Sequence, residues 1–556
     1  MNPWLPKSVL ALRSYNLKTF VSDLLAGLTV GLVALPLAMA FAISSGVSPQ
    51  SGLYTAVVAG FLISALGGSM VQIGGPTGAF VVIVFGIIQK YGLGALSLCT
   101  LMAGVLLILL GVTGMGTAVK FIPRPVVVGF TNGIALLIAS TQIKDFFGLK
   151  IDNVPSEFFA RAESLAAHFH TLSIPATLLA AGSLGVLLIC MNFMKRVPGA
   201  IAAMVLGTAV MFLFGLPVET IGTRFGGIPS GLPKLQIPVF QWGQLLPLLS
   251  PALTIAMLGA IESLMSATVA DRMTGDKHNP NVELIAQGIA NLVSPLFGGL
   301  PATGAIARTA TNVRSGGKTP VAGMLHAATL LLILIVAAPL ASYIPLSVLA
   351  AILIVVAWNM GEWREIPQLW KLTKSDITVW IVTFALTVFA DLTVAVEFGM
   401  ILAALLFIQK VTVTTTVSQV TREYVTHGRA HILQDKYLPD YAAIFRIHGP
   451  FLFGSTDKLS EMLARLAELP PIVILRLRNM TAIDATGLQA MEDLADRLHG
   501  SGRALILCGA REQPTDLMHK AEFEQHVGKE NICANIEEAL LRANVINDAT
   551  QARVQA

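Results

Sequence analysis

Long apolar runs, separated by glycine, proline or charged residues, fill the first 410 positions of the chain. Because a helix needs about 20 residues to cross a bilayer, runs of this kind predict membrane-spanning helices. Seven runs precede a polar, proline-rich connection at residues 222–244, and seven follow it. The fourteen predicted segments are Phe20–Ile43, Ser51–Leu66, Pro76–Gln89, Leu93–Thr113, Val126–Phe147, Ile174–Met194, Val197–Leu216, Leu249–Ala270, Val282–Phe297, Gly304–Val313, Pro320–Ala338, Pro345–Trp358, Ile377–Ala390 and Val394–Ile408.

The third and tenth segments, Pro76–Gln89 and Gly304–Val313, are too short to cross alone and must pack against protein. Each begins in a stretch broken by glycine and proline, Gly74–Phe80 in the first half and Gly298–Arg308 in the second. Interrupted apolar segments at corresponding places in two halves indicate a transporter site at the membrane midplane. The N-termini of these short helices would present free N–H groups and partial positive charge, which suit an anion.

The loops carry an uneven distribution of lysine and arginine, which remain on the cytoplasmic side of membranes. With a cytoplasmic N-terminus, fourteen of these residues fall inside and six fall outside. Both termini are therefore predicted to be cytoplasmic. Since seven is odd, the second group starts on the opposite side from the first, which predicts inverted repeats. The six outside residues are Lys90, Lys144, Lys150, Arg161, Arg224 and Lys234.

Composition excludes several classes of protein. With 54% hydrophobic and only 13% charged residues, the chain is a polytopic membrane protein rather than a soluble globular one. The net charge of +4 is scattered between apolar segments, so no nucleic-acid partner is expected. The four cysteines have no metal-ligand spacing, and we find no nucleophile–base pair or phosphate loop. We therefore expect neither an enzyme nor a bound metal or cofactor.

Charged residues become frequent after position 440, and the apolar runs shorten to strand length. Strands at 441–447, 472–477 and 504–508 alternate with helices at 457–469 and 486–498, which predicts a small α/β domain. The predicted organisation is a cytoplasmic N-terminal segment at 1–19, a transmembrane domain at 20–410, a linker at 411–440, the α/β domain at 441–545 and a tail at 546–556. The two repeats within the membrane occupy about 20–216 and 249–408.

Six motifs follow one another along the membrane part of the chain: Pro36–Ala42, Gly52–Tyr54, Gly75–Phe80, Gly288–Asn291, Ala305–Thr309 and Ser315–Thr319. In this order they resemble the SulP family of anion transporters, and the tail segment Ile483–Leu488 resembles the STAS domain that closes those proteins. The resemblance implies a polytopic α-helical membrane protein with fourteen segments as seven-plus-seven inverted repeats, two half-helices and a C-terminal STAS domain. It also implies a homodimer in which a core domain moves against a gate domain in an elevator-like displacement.

The predicted substrate site combines the starts of the two half-helices with the first helix. Arg308 lies about one turn inside the second half-helix, where a charge at membrane depth costs roughly 2.5 to 3.5 kcal/mol. We expect it to face the anion; the alternatives are a snorkelling arginine and a structural ion pair. The predicted substrate-binding residues are Leu37, Phe41, Thr77, Gly78, Ala79, Phe80, Thr303, Gly304, Ala305 and Arg308.

Glu262 and Ser266 stand four residues apart in the eighth segment and so share one helical face. In sodium-coupled bicarbonate members of the family, the matching pair looks like an acidic residue and a threonine that bind sodium. Burial disfavours the charged form of a carboxylate, so we expect Glu262 to carry a coupling proton, with Na⁺ as the alternative ion. The alternative is a purely structural role for Glu262 in a permanent ion pair with Arg308.

Leu37 and Phe41 depart from sulfate-transporting relatives, which typically carry glutamine and tyrosine here. The apolar wall is closer in pattern to the bacterial branch that takes C4-dicarboxylates such as succinate, fumarate and aspartate. Ordinary packing is the alternative explanation.

In the tail, stand-alone STAS proteins have a phosphorylatable serine where this chain has Ala485. Thr486 is therefore a candidate regulatory site, the alternative being a helix cap.

These inferences predict a secondary transporter in a bacterial inner membrane, most simply for C4-dicarboxylates with protons. Sulfate and bicarbonate are the closest rival substrates. An anion channel on the same scaffold, a sensor whose tail binds a cytoplasmic protein, and a nucleobase permease are rivals of other kinds. A nucleobase permease would lack this tail and would not need Arg308.

Overall fold

A computed structural model of the chain describes residues 4–117, 123–152, 154–194, 197–228, 231, 233–235, 242–371, 373–390, 392–420, 439–463 and 466–555. The chain divides into two compact units, Met1–Ile401 and Leu402–Ala556. Most of the predicted linker, residues 421–438, lies outside the described residues.

The first unit is helical. A helix is present at the position of each of the fourteen predicted segments, and short helices lie between them. Two strands of two residues each, β1 at Gly74–Gly75 and β2 at Thr303–Gly304, interrupt the helical chain. In order, the helices are α1 Lys7–Leu12, α2 Leu17–Ser44, α3 Pro49–Leu66, α4 Ala79–Tyr91, α5 Leu93–Val112, α6 Arg124–Phe147, α7 Phe158–Ala167, α8 Ile174–Asn192, α9 Gly199–Phe214, α10 Ile221–Phe225, α11 Leu245–Thr274, α12 Pro280–Val293, α13 Ile306–Arg314, α14 Pro320–Ala341, α15 Leu346–Met360, α16 Ile366–Leu369, α17 Lys374–Phe389 and α18 Leu392–Thr414, which continues past the boundary between the units.

Among the described residues, eight helical stretches are long and apolar enough to cross a membrane. The two predicted half-helices, α4 and α13, have 13 and 9 residues. At 1.5 Å per residue they measure roughly 20 Å and 14 Å, well short of a hydrocarbon core of about 30 Å. The number of segments that cross the bilayer stays a prediction. The eight stretches are Leu17–Ser44, Pro49–Leu66, Leu93–Val112, Arg124–Phe147, Ile174–Asn192, Leu245–Thr274, Pro320–Ala341 and Leu346–Leu369.

Local sequence explains where many of these helices begin and end. The Asn279 side chain accepts hydrogen bonds from the first turn of α12, and Pro280 follows at the first helical position, where its missing N–H costs nothing. Thr319 caps α14 in the same way. Gly148 and Gly275 end α6 and α11 in the left-handed conformation that favours glycine.

The helices of this unit pack in two groups. Helices α2, α3, α5, α11, α12, α13 and α14 pack mainly against one another, and α6, α8, α9, α15 and α17 form a second set. The backbones of α5 and α12 touch at Gly104 and Gly288, because a Cβ on Gly104 would lie 2.8 Å from the Gly288 carbonyl oxygen. Small residues allow such close approach between helices in a membrane.

The two short strands pair with each other. Gly74 lies opposite Gly304 and Gly75 opposite Thr303, in antiparallel register. The two glycine-broken stretches therefore meet, although about 230 residues separate them in the chain. Antiparallel pairing is the arrangement expected of stretches that enter a membrane from opposite faces.

The second unit contains a five-stranded sheet in the order β3-β4-β5-β6-β7. Strand β3 is antiparallel to β4, and the remaining neighbours are parallel. Strand β3 lies at residues 416–419, upstream of the predicted start of the α/β domain. The strands are β3 Thr416–Gln419, β4 Ala442–Phe451, β5 Ile472–Ile483, β6 Ala504–Cys508 and β7 Ile532–Cys533, and the helices are α19 Asp457–Leu463, α20 Ala485–Gly500, α21 Glu512–Lys520, α22 Glu524–Val527 and α23 Ile536–Gln555.

Apolar side chains cover both faces of this sheet, as parallel strands require. One face contributes Val473, Leu475 and Leu477 to a core shared with Met491 and Leu494 of α20. A second core on the opposite face contains residues of strands β4, β5 and β6 together with α23.

Candidate functional site

Pairing of β1 with β2 brings the starts of the two half-helices together. Gly78 precedes α4, Ala305 precedes α13, and the Ala305 N–H donates a hydrogen bond of 2.8 Å to the Ile73 carbonyl oxygen. Ala79 and Phe80, in the first turn of α4, are buried. The N-termini of both helices therefore belong to one small region, where their partial positive charges add. In α4, the Phe80 and Val81 N–H groups already donate to the Thr77 and Gly78 carbonyl oxygens at 3.3 Å and 3.0 Å.

Arg308 lies in this region and is 2% exposed. Its Nη2 donates a hydrogen bond of 3.0 Å to the Pro76 carbonyl oxygen, so the side chain reaches from the second half-helix to the start of the first. Its Nη1 is buried and has no hydrogen-bond partner. Within the described part of the chain, no carboxylate lies within 4.0 Å of the guanidinium. The described residues therefore form no ion pair with Arg308, which was one of the alternatives to an anion-binding role.

Glu262 contacts the first half-helix rather than Arg308. The Thr77 hydroxyl donates a hydrogen bond of 2.8 Å to Glu262 Oε2. The alternative of a permanent Glu262–Arg308 ion pair is wrong for this conformation, because Arg308 instead donates to a main-chain carbonyl group. Glu262 is partly exposed, so its second carboxylate oxygen can exchange a proton or meet an ion.

Ser266 has a different partner from Glu262, although both stand on one face of α11. The Ser266 hydroxyl lies 3.0 Å from the Thr309 hydroxyl, which accepts a hydrogen bond of 3.1 Å from the Ile73 N–H. Thr303 donates from its hydroxyl to the Gly259 carbonyl oxygen at 2.8 Å. These bonds tie α11 to the paired strands, which supports a positioning role for Ser266 and Thr303.

Apolar side chains border the start of α4. A Cβ on Gly78 would lie 3.2 Å from the Phe41 ring, 3.2 Å from Met360 Sδ and 3.3 Å from Ile138 Cδ1. Phe41 is buried, and Leu37 packs one turn away on α2. Met360 and Ile138 come from the second group of helices, so both groups meet at Gly78. Sequence alone did not indicate these two residues, since nothing in their segments distinguishes them from other apolar positions.

Sequence analysis also missed a buried polar framework behind the strands. The Asn291 side chain donates to the Ala302 carbonyl oxygen at 2.8 Å and accepts from the Ala302 N–H at 2.9 Å, which holds the chain entering β2 as a neighbouring strand would. Glu283 is fully buried. An acidic residue within an apolar segment could have indicated this framework. Glu283 lies in the first turn of α12, however, where carboxylates are common for helix-capping reasons alone.

Thr486 lies exposed in the first turn of α20. The cap of this helix is Asp484, whose Oδ1 accepts a hydrogen bond of 2.8 Å from the Gly487 N–H. The explanation of Thr486 as the cap is therefore wrong. Regulation through Thr486 stays a prediction.

The fold and this site define a polytopic membrane protein of the anion-transporter class. Residues 20–383 match the sulfate permease family, and residues 435–539 match the STAS domain. The chain belongs to the sulfate permease family, as the sequence resemblance predicted. Members similar to it are transporters, and the chain is accordingly a transporter rather than an enzyme.

Two relatives show the range of names within the family. The chain is 43% identical over 522 residues to YvdB of Bacillus subtilis strain 168, provisionally named a sulfate transporter, covering 93% of this chain and 97% of the relative. It is 30% identical over 549 residues to the bicarbonate transporter BicA of Synechocystis, covering 94% of each.

Solved structures agree with the fold. The structure of murine Slc26a9 matches with a TM-score of 0.88 at 20% identity and covers 97% of this chain and 94% of its own. The transmembrane domain of a cyanobacterial BicA matches with a TM-score of 0.63 at 33% identity, covering 70% of this chain and 98% of its own.

Proposed function

We propose that this chain is a secondary active transporter of small anions whose substrate is a C4-dicarboxylate taken up with protons. The observation that carries the proposal is the buried Arg308 guanidinium, which reaches between two half-helix N-termini and keeps one nitrogen without a partner. A carboxylate of the substrate would accept from this nitrogen and would be attracted by the partial positive charge of the two helix N-termini.

The side chains around Gly78 support an organic anion. Phe41, Ile138 and Met360 present carbon and sulfur atoms to the start of α4. A methylene or vinyl bridge between two carboxylates would lose little by contacting such a wall, whereas a fully hydrated oxyanion would lose hydrogen bonds to water. Leu37 and Phe41 extend this apolar surface along α2.

Glu262 supplies the coupling proton in this proposal. Its bond to Thr77 places the carboxyl group at the start of the first half-helix, close to where the anion would bind. A bound dianion repels an ionised carboxylate and therefore favours protonation of Glu262. Proton and substrate would then occupy the site together, which is the condition for symport.

Substrate movement would follow an elevator-like displacement of the first group of helices against the second. The two groups meet through apolar side chains at Gly78, which can slide without breaking ion pairs. We further propose a homodimer in a bacterial inner membrane with both termini cytoplasmic, and a STAS domain that binds a cytoplasmic protein.

Sulfate or bicarbonate transport is a second candidate function, and the relatives favour it. YvdB is provisionally named for sulfate and BicA for bicarbonate. Both anions could use Arg308 and the helix N-termini, because these groups recognise negative charge rather than a carbon skeleton.

Uptake of labelled succinate, sulfate and bicarbonate into proteoliposomes separates these candidates. Each anion is tested with an inward proton gradient, an inward sodium gradient and no gradient. Accumulation of succinate against its gradient, driven by protons, supports the proposal. Uptake of sulfate or bicarbonate alone replaces the substrate, and an anion conductance without coupling identifies a channel.

The role of Glu262 has its own test. Glu262→Gln should retain substrate exchange but lose proton-driven accumulation, because the amide cannot carry the proton. Glu163→Gln removes an exposed carboxylate from α7 and serves as a matched control that should leave uptake unchanged. If accumulation by the Glu262→Gln variant depends on external pH as it does in the unaltered protein, the coupling role is wrong.

A further inference from the structure

Behind the paired strands, four fully or almost fully buried polar side chains form a group that we call the Glu283 cluster. Its members are Gln72, which precedes β1, Ser263 of α11, and Glu283 and Gln287 of α12, and none is more than 3% exposed. They come from three separate parts of the chain, so only the fold brings them together. None of them belongs to the predicted anion site.

Short polar contacts connect the cluster. Gln72 Nε2 lies 3.2 Å from Ser263 Oγ, and Ser263 Oγ lies 3.3 Å from Glu283 Oε1. Gln287 Nε2 donates to the same Oε1 at 2.8 Å. The Gly68 N–H donates to Glu283 Oε2 at 2.9 Å. Three donors thus point at one carboxylate.

Among the described residues, Glu283 has no ion-pair partner. In the regions that the structure describes, no lysine, arginine or histidine nitrogen lies within 4.0 Å of Glu283. His278, at the other side of the loop before α12, is bonded to Asp271 at 2.7 Å. An unpaired carboxylate in a membrane-embedded interior is strongly disfavoured, so it is neutralised either by a bound cation or by a proton.

Two oxygen atoms of the cluster also have no partner. The side-chain oxygens of Gln72 and Gln287 are buried and accept no hydrogen bond. Buried amide oxygens of this kind normally have a donor or an ion. Together with Glu283 and the Ser263 hydroxyl, they make a set of hard oxygen ligands with one negative charge and no nitrogen or sulfur ligand.

We propose that the Glu283 cluster binds a dehydrated monovalent cation of the size of Na⁺. Rotation of the Gln72 amide group would place its oxygen where its nitrogen now lies, 3.2 Å from Ser263 Oγ. Ligand oxygens about 3.3 Å apart form the edge of an octahedron whose centre is about 2.3 Å from each oxygen, a usual distance for hard cations. One carboxylate neutralises one positive charge, which selects a monovalent ion.

A cation in this cluster would position the anion site without touching the anion. A Cβ on Gly304 would lie 1.8 Å from Gln72 Nε2, so the Gln72 amide group packs directly on β2. Ser263 is the neighbour of Glu262 in α11. Fixing Gln72 and Ser263 to one ion would therefore hold β2 and α11 in register. This site is distinct from the Glu262/Ser266 pair considered from sequence.

The test measures thermal unfolding of the purified full-length protein in detergent, without substrate, in NaCl, KCl or choline chloride at equal ionic strength. Na⁺ should raise the unfolding temperature by about 2 to 5 °C relative to choline, with K⁺ less effective. Glu283→Gln should abolish this shift, and Gln72→Leu should raise the half-maximal Na⁺ concentration at least tenfold. Gln142→Leu, which changes a buried glutamine of α6, and Glu262→Gln should both keep the full response.

Equal unfolding temperatures of the unaltered protein in Na⁺ and choline would overturn the proposal. A shift that Glu283→Gln retains but Glu262→Gln loses would also overturn it and would place the ion at Glu262. Stabilisation by lowering pH in place of Na⁺ would show that a proton neutralises Glu283. If Glu283→Gln does not fold, binding of ²²Na⁺ to the unaltered protein and to Gln72→Leu replaces the thermal assay. Weaker binding to Gln72→Leu supports the site, and equal binding contradicts it. The readout needs no substrate, so its outcome is independent of the transport proposal.

Discussion

Replacing Arg308 with alanine tests the central feature of the anion site. The change removes a guanidinium whose Nη2 donates to the Pro76 carbonyl oxygen and whose Nη1 has no partner. If the substrate accepts from Nη1, the lost bond involves two charged groups and contributes about 1.5 to 3 kcal/mol. At about 1.36 kcal/mol per factor of ten, the substrate KM should rise about 13- to 160-fold.

Folding of the Arg308→Ala variant should survive the change. Arg308 has no carboxylate partner within 4.0 Å among the described residues, so its removal leaves no buried acid unpaired. Arg308→Lys should recover part of the affinity, because one ammonium group supplies the charge but cannot donate from two nitrogens in a fork.

The assay compares initial uptake rates in proteoliposomes with equal amounts of each variant, after thermal unfolding has confirmed that each is folded. Arg314→Ala is the matched control, since Arg314 lies on the same helix, α13, but is exposed. Its KM should stay within about twofold of the unaltered protein, because an exposed charge is screened by solvent. A normal KM in folded Arg308→Ala would refute the assignment of Arg308 to the anion site.

Two further predictions concern backbone packing and pH. Gly304→Ala should abolish uptake and lower the free energy of unfolding by roughly 1 to 3 kcal/mol, because the added Cβ would displace Gln72. At Gly86 a Cβ would meet nothing within 4 Å, so Gly86→Ala should have no effect in the same uptake and thermal unfolding assays. In the STAS domain, a hydrogen bond to Asp496 raises the pKa of His526. The bond should therefore stabilise the domain slightly below about pH 6.5, and this stabilisation should be lost as the pH rises through the higher pKa of His526 in the folded protein. Hydrogen exchange in α20 and α22, corrected for intrinsic rates, should then increase with pH. The same pH dependence in His526→Gln would contradict the prediction.

The positions of the membrane helices could be predicted from sequence because each depends on a local property. About 20 apolar residues form a helix wherever water is absent, and glycine and proline interrupt it at Gly74–Gly75 and Gly298–Gly299. The strands and helices of the STAS domain follow from local periodicity in the same way. Strand β3 was missed, since its four residues form a strand only by pairing with β4.

Part of the site was also accessible from sequence. Arg308 and Glu262 stood out because charged residues are rare in apolar segments. Which groups they contact was not accessible. An ion pair between the two was one alternative from sequence, but Arg308 bonds to Pro76 and Glu262 bonds to Thr77. Spacing along one helix constrains a shared face and does not determine the partner on another helix.

By itself, the sequence determined the class of protein, the two interrupted segments and the residues with unusual chemistry, because hydropathy and chain breaking act over a few neighbouring residues. Only the tertiary structure decided that Gly74 pairs with Gly304 and that Gln72 and Ser263 meet Glu283. These contacts join positions between 20 and 230 residues apart. They depend on how whole helices pack, and helix packing is a property of the complete fold.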